Sequence, residues 1–216
     1  MKIVLSIVFI AALVSCSFLM KNTFVPRSVQ NTSVMITNFA GTSGGSGSVL
    51  SSSKKSSRVL TNGHVCRILE NGGLVKSTNT GKQLLAYSFQ TYKGHDLCVI
   101  TVMGDLGDSV KIAQNPPKLY ENATISGHPQ LMPNVITRGH FSNKEMINVI
   151  VGFKPCTAED IQKPDDAIVC FFLGGFPIVR TYEANAVSAT IQPGSSGSAI
   201  FDSNEELASV VFAGSG

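Results

Sequence analysis

The residues Leu60-Thr-Asn-Gly-His64-Val-Cys66 form a short β-type run that ends in a turn carrying a histidine. Runs of this kind, rich in Val, Ile, Thr, Phe and Tyr and bounded by Gly, Asn, Asp, Ser and Pro, recur along the chain and are typical of strands and turns. Outside the amino terminus no long segment repeats apolar residues about every 3.6 positions, as an amphipathic helix does. The sequence therefore predicts an all-β fold. The predicted strands are 34–38, 48–50, 59–61, 97–102, 135–137, 147–153, 168–173, 199–201 and 208–213.

The composition fits a folded domain and gives no sign of a nucleic-acid partner. Hydrophobic residues make up 43% of the 216 residues and charged residues only 14%, whereas an ordinary soluble domain has roughly 25% charged residues. The chain can therefore bury a core and is not disordered. Its net charge is +3 and its longest basic block is Lys54-Lys55. Because binding to nucleic acid needs an extended basic surface, we expect no nucleic-acid partner.

The first 16 residues are predicted to be a signal peptide. Twelve nearly all apolar residues, 3–14, follow Met1-Lys2; this length suits a signal-peptide core but is too short for a membrane span of about 20 residues. The sequence Leu13-Val-Ser-Cys16 is similar to a bacterial lipobox, in which the cysteine is acylated, and the alternative is ordinary cleavage after Ser15 or Ser17. We expect an exported protein, whether periplasmic, extracellular or a cell-envelope lipoprotein, that meets the membrane only through a lipid on Cys16.

Two further features organise the rest of the chain. The paired prolines of Gln114-Asn-Pro-Pro-Lys118 cannot lie in a central strand, so we expect residues 24–114 and 118–216 to form two separate β-units.

Cys156 and Cys170 bracket a polar segment that looks like a surface loop, and in an exported protein an even number of cysteines favours disulfides. A Cys156–Cys170 disulfide is the preferred pairing, and two buried thiols are the alternative.

Three segments carry residues that could act together in nucleophilic catalysis. Taken singly, a histidine after a strand, an aspartate at the start of a strand and a serine in a Gly-rich turn all have ordinary structural explanations. Together they supply a general base, an orienting carboxylate and a nucleophile, each at the edge of a strand. The three candidates are His64, Asp96 in Gly94-His-Asp96-Leu-Cys-Val-Ile100, and Ser196 in Ile191-Gln-Pro-Gly194-Ser-Ser196-Gly-Ser-Ala-Ile200.

The order of these residues and their neighbours resemble the chymotrypsin-like (trypsin-like) serine proteases, and the bacterial Deg/HtrA type in particular. Thr61-Asn-Gly-His64-Val is similar to that group's Thr-Asn-x-His-Val, and Pro193-Gly-Ser-Ser196-Gly-Ser is similar to its Pro-Gly-Asn-Ser-Gly-Gly. The resemblance implies two antiparallel β-barrels of the six-stranded type with the active site between them, and a serine endopeptidase that needs no cofactor or metal. The other matching segments are Asp96-Leu-Cys-Val, Gly45-Ser-Gly-Ser-Val49 and Gly127-His-Pro129 with Val135-Ile-Thr-Arg-Gly-His-Phe-Ser142.

The resemblance also implies a role for each site residue. Ser196 is expected to attack the peptide carbonyl after His64 takes its proton, while Asp96 orients the imidazole. The backbone N–H groups of Gly194 and Ser196 are expected to form the oxyanion hole. Thr190, six residues before the nucleophile, is expected at the base of the specificity pocket. The remaining substrate-binding residues implied by the resemblance are Ile191, Val211, Phe212 and Ala213.

A pocket based on Thr190 cannot neutralise a buried lysine or arginine of the substrate. We therefore expect cleavage of peptides or unfolded proteins after small or medium aliphatic residues.

The sequence departs from the family pattern at several points. Ser198 and Ala199 stand where the family usually has glycine and proline. Cys66 lies one position beyond a cysteine that many digestive relatives place next to the histidine, and pairing of Cys66 with Cys98 and two buried thiols are both left open. Only residues 197–216 follow the nucleophile, so either the second barrel is unusually short or its last strand is missing.

Two other functions are weighed against the protease. His64, Cys66, His95 and Cys98 form two short-spaced pairs that would suit tetrahedral zinc, but a zinc module leaves Asp96 and the serine turn unexplained. The second alternative is an inactive protease fold used as a binding module. The complete set of three catalytic residue types favours the enzyme.

Overall fold

The computed structural model describes residues 25–92, 95–157, 170 and 175–212. Within these residues the chain forms eleven β-strands, two five-residue α-helices and a 3₁₀ turn, which confirms the predicted all-β fold. The signal peptide, Ala213 and, apart from Cys170, the predicted strand 168–173 lie outside the described residues. The helices are α1 Arg27–Asn31 and α2 Gly63–Arg67, the 3₁₀ turn is Pro129–Leu131, and the strands are β1 Ser33–Asn38, β2 Gly44–Ser52, β3 Ser56–Thr61, β4 Gly73–Ser77, β5 Gln83–Thr91, β6 Cys98–Met103, β7 Asn122–Gly127, β8 Val135–Lys154, β9 Phe176–Val187, β10 Ala199–Phe201 and β11 Leu207–Val210.

Strands β1 to β6 close into an antiparallel barrel in the order β1-β2-β3-β6-β5-β4. Alternate side chains of a strand point to opposite faces, and in β3 the buried positions accordingly alternate with more exposed ones. The inward side chains are mostly branched aliphatic residues, each of which contributes about 1.5–3 kcal/mol when fully buried. Fully buried members of this core include Val34, Ile36, Val49, Val59, Val75, Ile100 and Val102.

Strands β7 to β11 form a second antiparallel sheet in the order β11-β10-β7-β8-β9. This sheet packs its own apolar cluster, which includes Ala123, Ile125, Phe141, Ile200 and Val211. The Pro-Pro segment lies between the two sheets in sequence, because β6 ends at Met103 and β7 begins at Asn122. The closed barrel and this curled sheet give the two-unit architecture that the resemblance to chymotrypsin-like proteases implied.

The longest elements are β8 and β9, which pair with each other from Phe141–Val187 to Lys154–Phe176. Near the far end of this hairpin, Cys156 and Cys170 form a disulfide with a Cα–Cα distance of 6.0 Å. The sequence predicts two separate strands, 135–137 and 147–153, where the structure has the single strand β8. Much of the hairpin is solvent-exposed, so it lacks the alternating apolar pattern by which a half-buried strand is recognised.

Candidate active site

The first barrel holds His64 and Asp96 against each other. His64 lies on α2 directly after β3, and Asp96 lies two residues before β6. The distance from His64 Nδ1 to Asp96 Oδ2 is 2.5 Å, and the backbone N–H of His64 donates to Asp96 Oδ1 at 2.9 Å. Because a carboxylate oxygen accepts, Nδ1 carries a proton, and in the neutral form of the ring Nε2 is the basic nitrogen. This pair has the geometry of a general base with its orienting group.

The pKa of Asp96 is lowered, which favours the carboxylate form that accepts the hydrogen bonds of His64. Burial by itself raises the pKa of the Asp96 carboxyl, but the hydrogen bonds from His64 and the positive charge that this ring carries when protonated lower it more, so the net pKa lies below its usual value. Asn62 adds a further contact by donating from Nδ2 to the Asp96 backbone carbonyl at 3.0 Å. Asp96 is therefore held as a carboxylate at neutral pH.

A buried disulfide ties the two residues together. Cys66 follows His64 by two positions and Cys98 follows Asp96 by two positions, and they are bonded with a Cα–Cα distance of 6.5 Å. Both cysteines are fully buried. The bond links the fourth residue of α2 to the first residue of β6, and it occupies both sulfur atoms that the alternative zinc site would need. Among the described residues no group of three or more His, Cys, Asp and Glu side chains is placed to hold a metal ion.

The turn with Ser196 belongs to the second sheet but packs on the first barrel. The backbone N–H of Ser46 in β2 donates to the Ser196 carbonyl at 2.8 Å. Gly197 has a φ of +86°, and a Cβ there would lie 2.0 Å from the Ser46 carbonyl oxygen, so this position requires glycine. A Cβ on Gly45 would lie 2.8 Å from a methyl group of Val65 and 3.1 Å from the Ser196 carbonyl oxygen. Since Val65 directly follows His64, these contacts place the Ser196 backbone near the helix that carries the histidine.

Among the hydrogen bonds of the described residues, none joins the Ser196 hydroxyl to His64. Catalytic hydrogen bonds are commonly long in unliganded sites and shorten when substrate binds. The Ser196 side chain is partly exposed, so the hydroxyl can meet a substrate from solvent.

Two peptide groups near Ser196 have N–H groups that bind no other part of the described chain. The Pro193 carbonyl accepts from the Gln130 N–H at 2.7 Å, and the Ser195 carbonyl accepts from the Ser198 N–H at 2.9 Å. In a trans peptide the C=O and the following N–H point in opposite directions. The N–H groups of Gly194 and Ser196 therefore point away from these partners, and neither has a hydrogen-bond acceptor among the described residues. Unpaired backbone donors of this kind can bind an oxyanion.

The predicted pocket residues are divided between two cavities. Thr190 lines a small cavity of about 120 Å³ together with Gln192 and Ser195. Ile191 packs in the core of the second sheet and also borders a larger cleft of about 950 Å³. Thr190 and Ile191 thus face opposite sides, as neighbours in an extended chain do. The larger cleft is also lined by Asp96, Val211 and Phe212.

Phe212 contacts the histidine itself. Its ring stands at 88° to the His64 ring with a centroid distance of 6.1 Å. Val211, which precedes it, exchanges backbone hydrogen bonds with Gly197 and Ser198, each 2.9 Å long. This pairing places the residues after β11 alongside the Ser196 turn.

Sequence reasoning assigned no role to Ser46 or Gln130, and both hold the Ser196 turn. The only local signal for Ser46 was its place in the Gly45-Ser-Gly-Ser-Val49 motif, and Gln130 had none. Ser198, which stands where the family usually has glycine, has a packing explanation. Its side chain fills the space next to Gly127, and a Cβ added to Gly127 would lie 1.7 Å from the Ser198 hydroxyl oxygen.

Two structural features bear on where the protein works. Disulfides persist in oxidising compartments and are rare in the cytosol, so Cys66–Cys98 and Cys156–Cys170 indicate an exported protein. In the part of the chain that the structure describes, no helix has the length and apolar character needed to cross a membrane.

Comparison with known proteins identifies the family. A model of the trypsin-like peptidase domain matches residues 45–210. The inactive form of the Rv3671c protease of M. tuberculosis superposes with a TM-score of 0.61 and 20% sequence identity, over 86% of this chain and 79% of that one. The active form of that protease gives a TM-score of 0.63 and 19% identity, over 87% and 72%. No curated protein sequence matches. Since the family model spans most of the chain, the chain belongs to the trypsin-like peptidase domain family and has the chymotrypsin-like fold of serine proteases.

Proposed function

We propose that the protein is a serine endopeptidase of the Deg/HtrA type whose triad is His64, Asp96 and Ser196. The observation that carries this proposal is the His64–Asp96 pair, which leaves the basic Nε2 free, beside a turn whose Gly194 and Ser196 N–H groups are unpaired. An inactive binding module would need neither of these features. Peptides and unfolded proteins are the expected substrates.

The proposed reaction proceeds through an acyl-enzyme. Ser196 Oγ forms a bond to the carbonyl carbon of the substrate while its proton passes to His64 Nε2. The N–H groups of Gly194 and Ser196 hold the oxyanion that results. When the C–N bond breaks, His64 gives its proton to the leaving amine. Water then attacks the ester with His64 as base, which releases the acid and restores the Ser196 hydroxyl.

We propose that cleavage follows small or medium aliphatic residues. The support is the cavity next to Ser195, where none of the described lining residues is charged and most of the exposed lining is apolar. A lysine or arginine in such a site would be left unpaired, which costs several kcal/mol. A peptide library should show Val, Ala, Leu or Ile before the scissile bond. A profile dominated by Lys or Arg would contradict the assignment of Thr190 to the pocket.

The nucleophile is tested by covalent labelling with a fluorophosphonate probe. We expect the folded wild-type protein to be labelled at one site, and the Ser196→Ala variant to lose both the label and peptide cleavage. The matched control is Ser203→Ala, which removes an exposed hydroxyl that binds Glu121 outside the Ser196 turn. Folded wild-type protein that takes no label would favour a binding module, and label that persists in Ser196→Ala would contradict the choice of nucleophile.

We also propose that the protein is exported by its amino-terminal apolar segment and acylated on Cys16. The support is the apolar run 3–14, the lipobox-like sequence before Cys16 and the two disulfides. Cells supplied with a fatty-acid analogue should label the wild-type protein and not Cys16→Ser. An exported protein without label would show ordinary signal-peptide cleavage instead.

A further inference from the structure

A tight turn formed by residues 128–132 stands behind the peptide group that joins Pro193 to Gly194. The N–H of Gln130 donates to the Pro193 carbonyl at 2.7 Å. Gly194 has a φ of +87°, and a Cβ on it would lie 2.6 Å from the Gln130 nitrogen. Contact between the turn and this peptide is therefore close, and the orientation of the Gly194 N–H depends on where the turn holds Gln130.

The backbone of this turn is unfavourable on its own. Gln130 and Leu131 have φ angles of 51° and 59°, in the left-handed region that residues with a side chain rarely adopt. Neither is glycine, so the surrounding contacts must hold the conformation. The turn will relax if those contacts are lost, and the hydrogen bond from Gln130 to Pro193 will be lost with it.

The His128 side chain supplies two of these contacts. It is 5% exposed, its Nδ1 lies 3.0 Å from the Met132 carbonyl oxygen and its Nε2 lies 3.1 Å from the Thr78 hydroxyl. A carbonyl only accepts, so Nδ1 carries the proton and Nε2 accepts from Thr78. The ring thus fastens the last residue of the turn to the first residue after β4 in the first barrel.

Ser46 connects the same turn to the other side of Gly194. Its hydroxyl oxygen accepts the His128 backbone N–H at 2.7 Å and donates to the Gly194 carbonyl at 2.9 Å. Together, the turn and Ser46 hold the carbonyl before Gly194 and the carbonyl of Gly194 itself. The peptide groups on both sides of Gly194 are therefore fixed by protein contacts before any substrate arrives.

We propose that His128 is a positioning residue for the oxyanion hole: it maintains the strained 128–132 turn, whose Gln130 N–H keeps the Gly194 N–H directed at the substrate carbonyl. This inference rests on the proposed protease function. Burial also lowers the pKa of His128, which keeps the ring neutral and preserves the proton arrangement that both contacts require.

The alternative is that His128 is only a buried structural residue. A structural role predicts reduced stability with unchanged catalysis in the molecules that remain folded. The positioning role predicts a lower kcat with little change in KM, because the oxyanion forms only in the transition state. The two roles are therefore distinguished by steady-state kinetics on folded protein.

The test compares His128→Leu with His128→Asn. Leucine fills the site without hydrogen bonds, whereas the asparagine amide can replace the Nδ1–H that binds the Met132 carbonyl. We expect kcat to fall at least 10-fold in His128→Leu with KM within twofold, and His128→Asn to recover most of the loss. Removal of an oxyanion donor outright costs about 10²–10³ in turnover. Affinity for a peptide aldehyde, which mimics the transition state, should fall in the same proportion as kcat.

The matched control is His140→Leu, since His140 is an exposed histidine on β8 outside the turn. It should keep the kcat of the wild-type protein. A folded His128→Leu with normal kcat would overturn the inference, and so would equal losses in the leucine and asparagine variants. If His128→Leu does not fold, Thr78→Val removes only the outer contact of the ring, and unchanged kcat and aldehyde affinity in that variant would overturn the inference. Failure of the wild-type protein to take the fluorophosphonate label would instead refute the proposed function itself.

Discussion

Asp96 contacts His64 twice, once at the ring and once at the backbone N–H. In Asp96→Asn one of the two acceptor oxygens becomes an NH₂ donor, so one of these hydrogen bonds must be lost or the ring must change its tautomer. We expect kcat to fall about 10⁴-fold, the effect typical of an amide in place of a triad carboxylate. Steady-state kinetics on the folded variant measure this loss.

The matched control for this substitution is Asp108→Asn. The Asp108 side chain only accepts a hydrogen bond from Asn31, and an asparagine oxygen can still accept it, so kcat should not change. A loss of less than 10-fold in Asp96→Asn would contradict the role assigned to Asp96.

The lowered pKa of Asp96 predicts how stability responds to acid. A carboxyl whose pKa is lower in the folded than in the unfolded state stabilises the fold above its unfolded pKa, and this contribution is lost as the pH falls through the folded pKa. The ordinary value is 3.8, so the contribution of Asp96 should be complete at pH 6 and should decline below about pH 4. Denaturant unfolding of the wild-type protein and of Asp96→Asn measures it. The difference in unfolding free energy between the two should shrink on acidification; a constant difference from pH 6 to pH 2 would argue against the shift.

The residues of the proposed triad carry local sequence signals, while the residues that support them do not. His64, Asp96 and Ser196 each stand in a short motif that can be read without the fold. Ser46 acts through a hydrogen bond to Gly194, 148 positions away. A contact of that separation leaves no periodic or local signal, so only the fold reveals it.

At the level of elements, the Cys66–Cys98 disulfide joins α2 to β6 and thereby the His64 segment to the Asp96 segment. Replacing both cysteines with alanine removes a link between positions 32 residues apart. On the chain-entropy model this lowers the free energy of unfolding by about 3–4 kcal/mol. We also expect kcat to fall, because α2 has only five residues and is too short to keep its place without tertiary contacts.

The second disulfide provides the matched control for that experiment. Cys156→Ala with Cys170→Ala removes a bond 14 residues apart at the far end of the β8–β9 hairpin. We expect it to lower stability by about 3 kcal/mol and to leave kcat unchanged. Equal effects of the two double variants on kcat would show that the Cys66–Cys98 bond has no special influence on the site.

Of the four described strands that the sequence missed, β5 and β9 have no clear buried face, whereas β4 and β7 do have buried positions. Along β5 most positions are exposed, and β9 has no fully buried position. Period-2 alternation of apolar residues arises only where one face of a strand is buried, so these strands carried no such signal. By contrast, β1, β3, β6 and β10 lie in the cores, and their apolar runs were recognised. The pairing of Cys66 with Cys98, left open by the sequence, follows from the position of α2 above β6.

In the molecule as a whole, the proposed active site is shared between the two sheets, because His64 and Asp96 belong to the first barrel and Ser196 to the second sheet. Residues of the connecting segment 104–121 bind both: the Val110 N–H donates to the Val49 carbonyl in β2, and the Leu207 N–H in β11 donates to the Lys111 carbonyl. The fold can therefore align the three side chains only while the two sheets stay together.

An apolar cluster at this junction carries the last prediction. Phe201 in β10 is 1% exposed and packs with Val29 of α1 and Val110 of the connecting segment, and Leu50 and Leu60 of the first barrel pack against the same cluster. Phe201→Ala should lower the free energy of unfolding by about 3–5 kcal/mol, since it leaves a cavity between the sheets. Denaturant unfolding, followed by circular dichroism, should still show one transition.

The single transition is expected because the cluster couples the two sheets, so that neither sheet retains its packing when the junction opens. The control is Ile178→Ala on the exposed hairpin, where the side chain is 45% exposed and the change should stay near 0.5 kcal/mol. If Phe201→Ala instead unfolded in two steps, the first barrel would be stable without the second sheet. Cleavage activity would then disappear in the first step, since that step separates Ser196 from His64 while the His64–Asp96 pair remains folded.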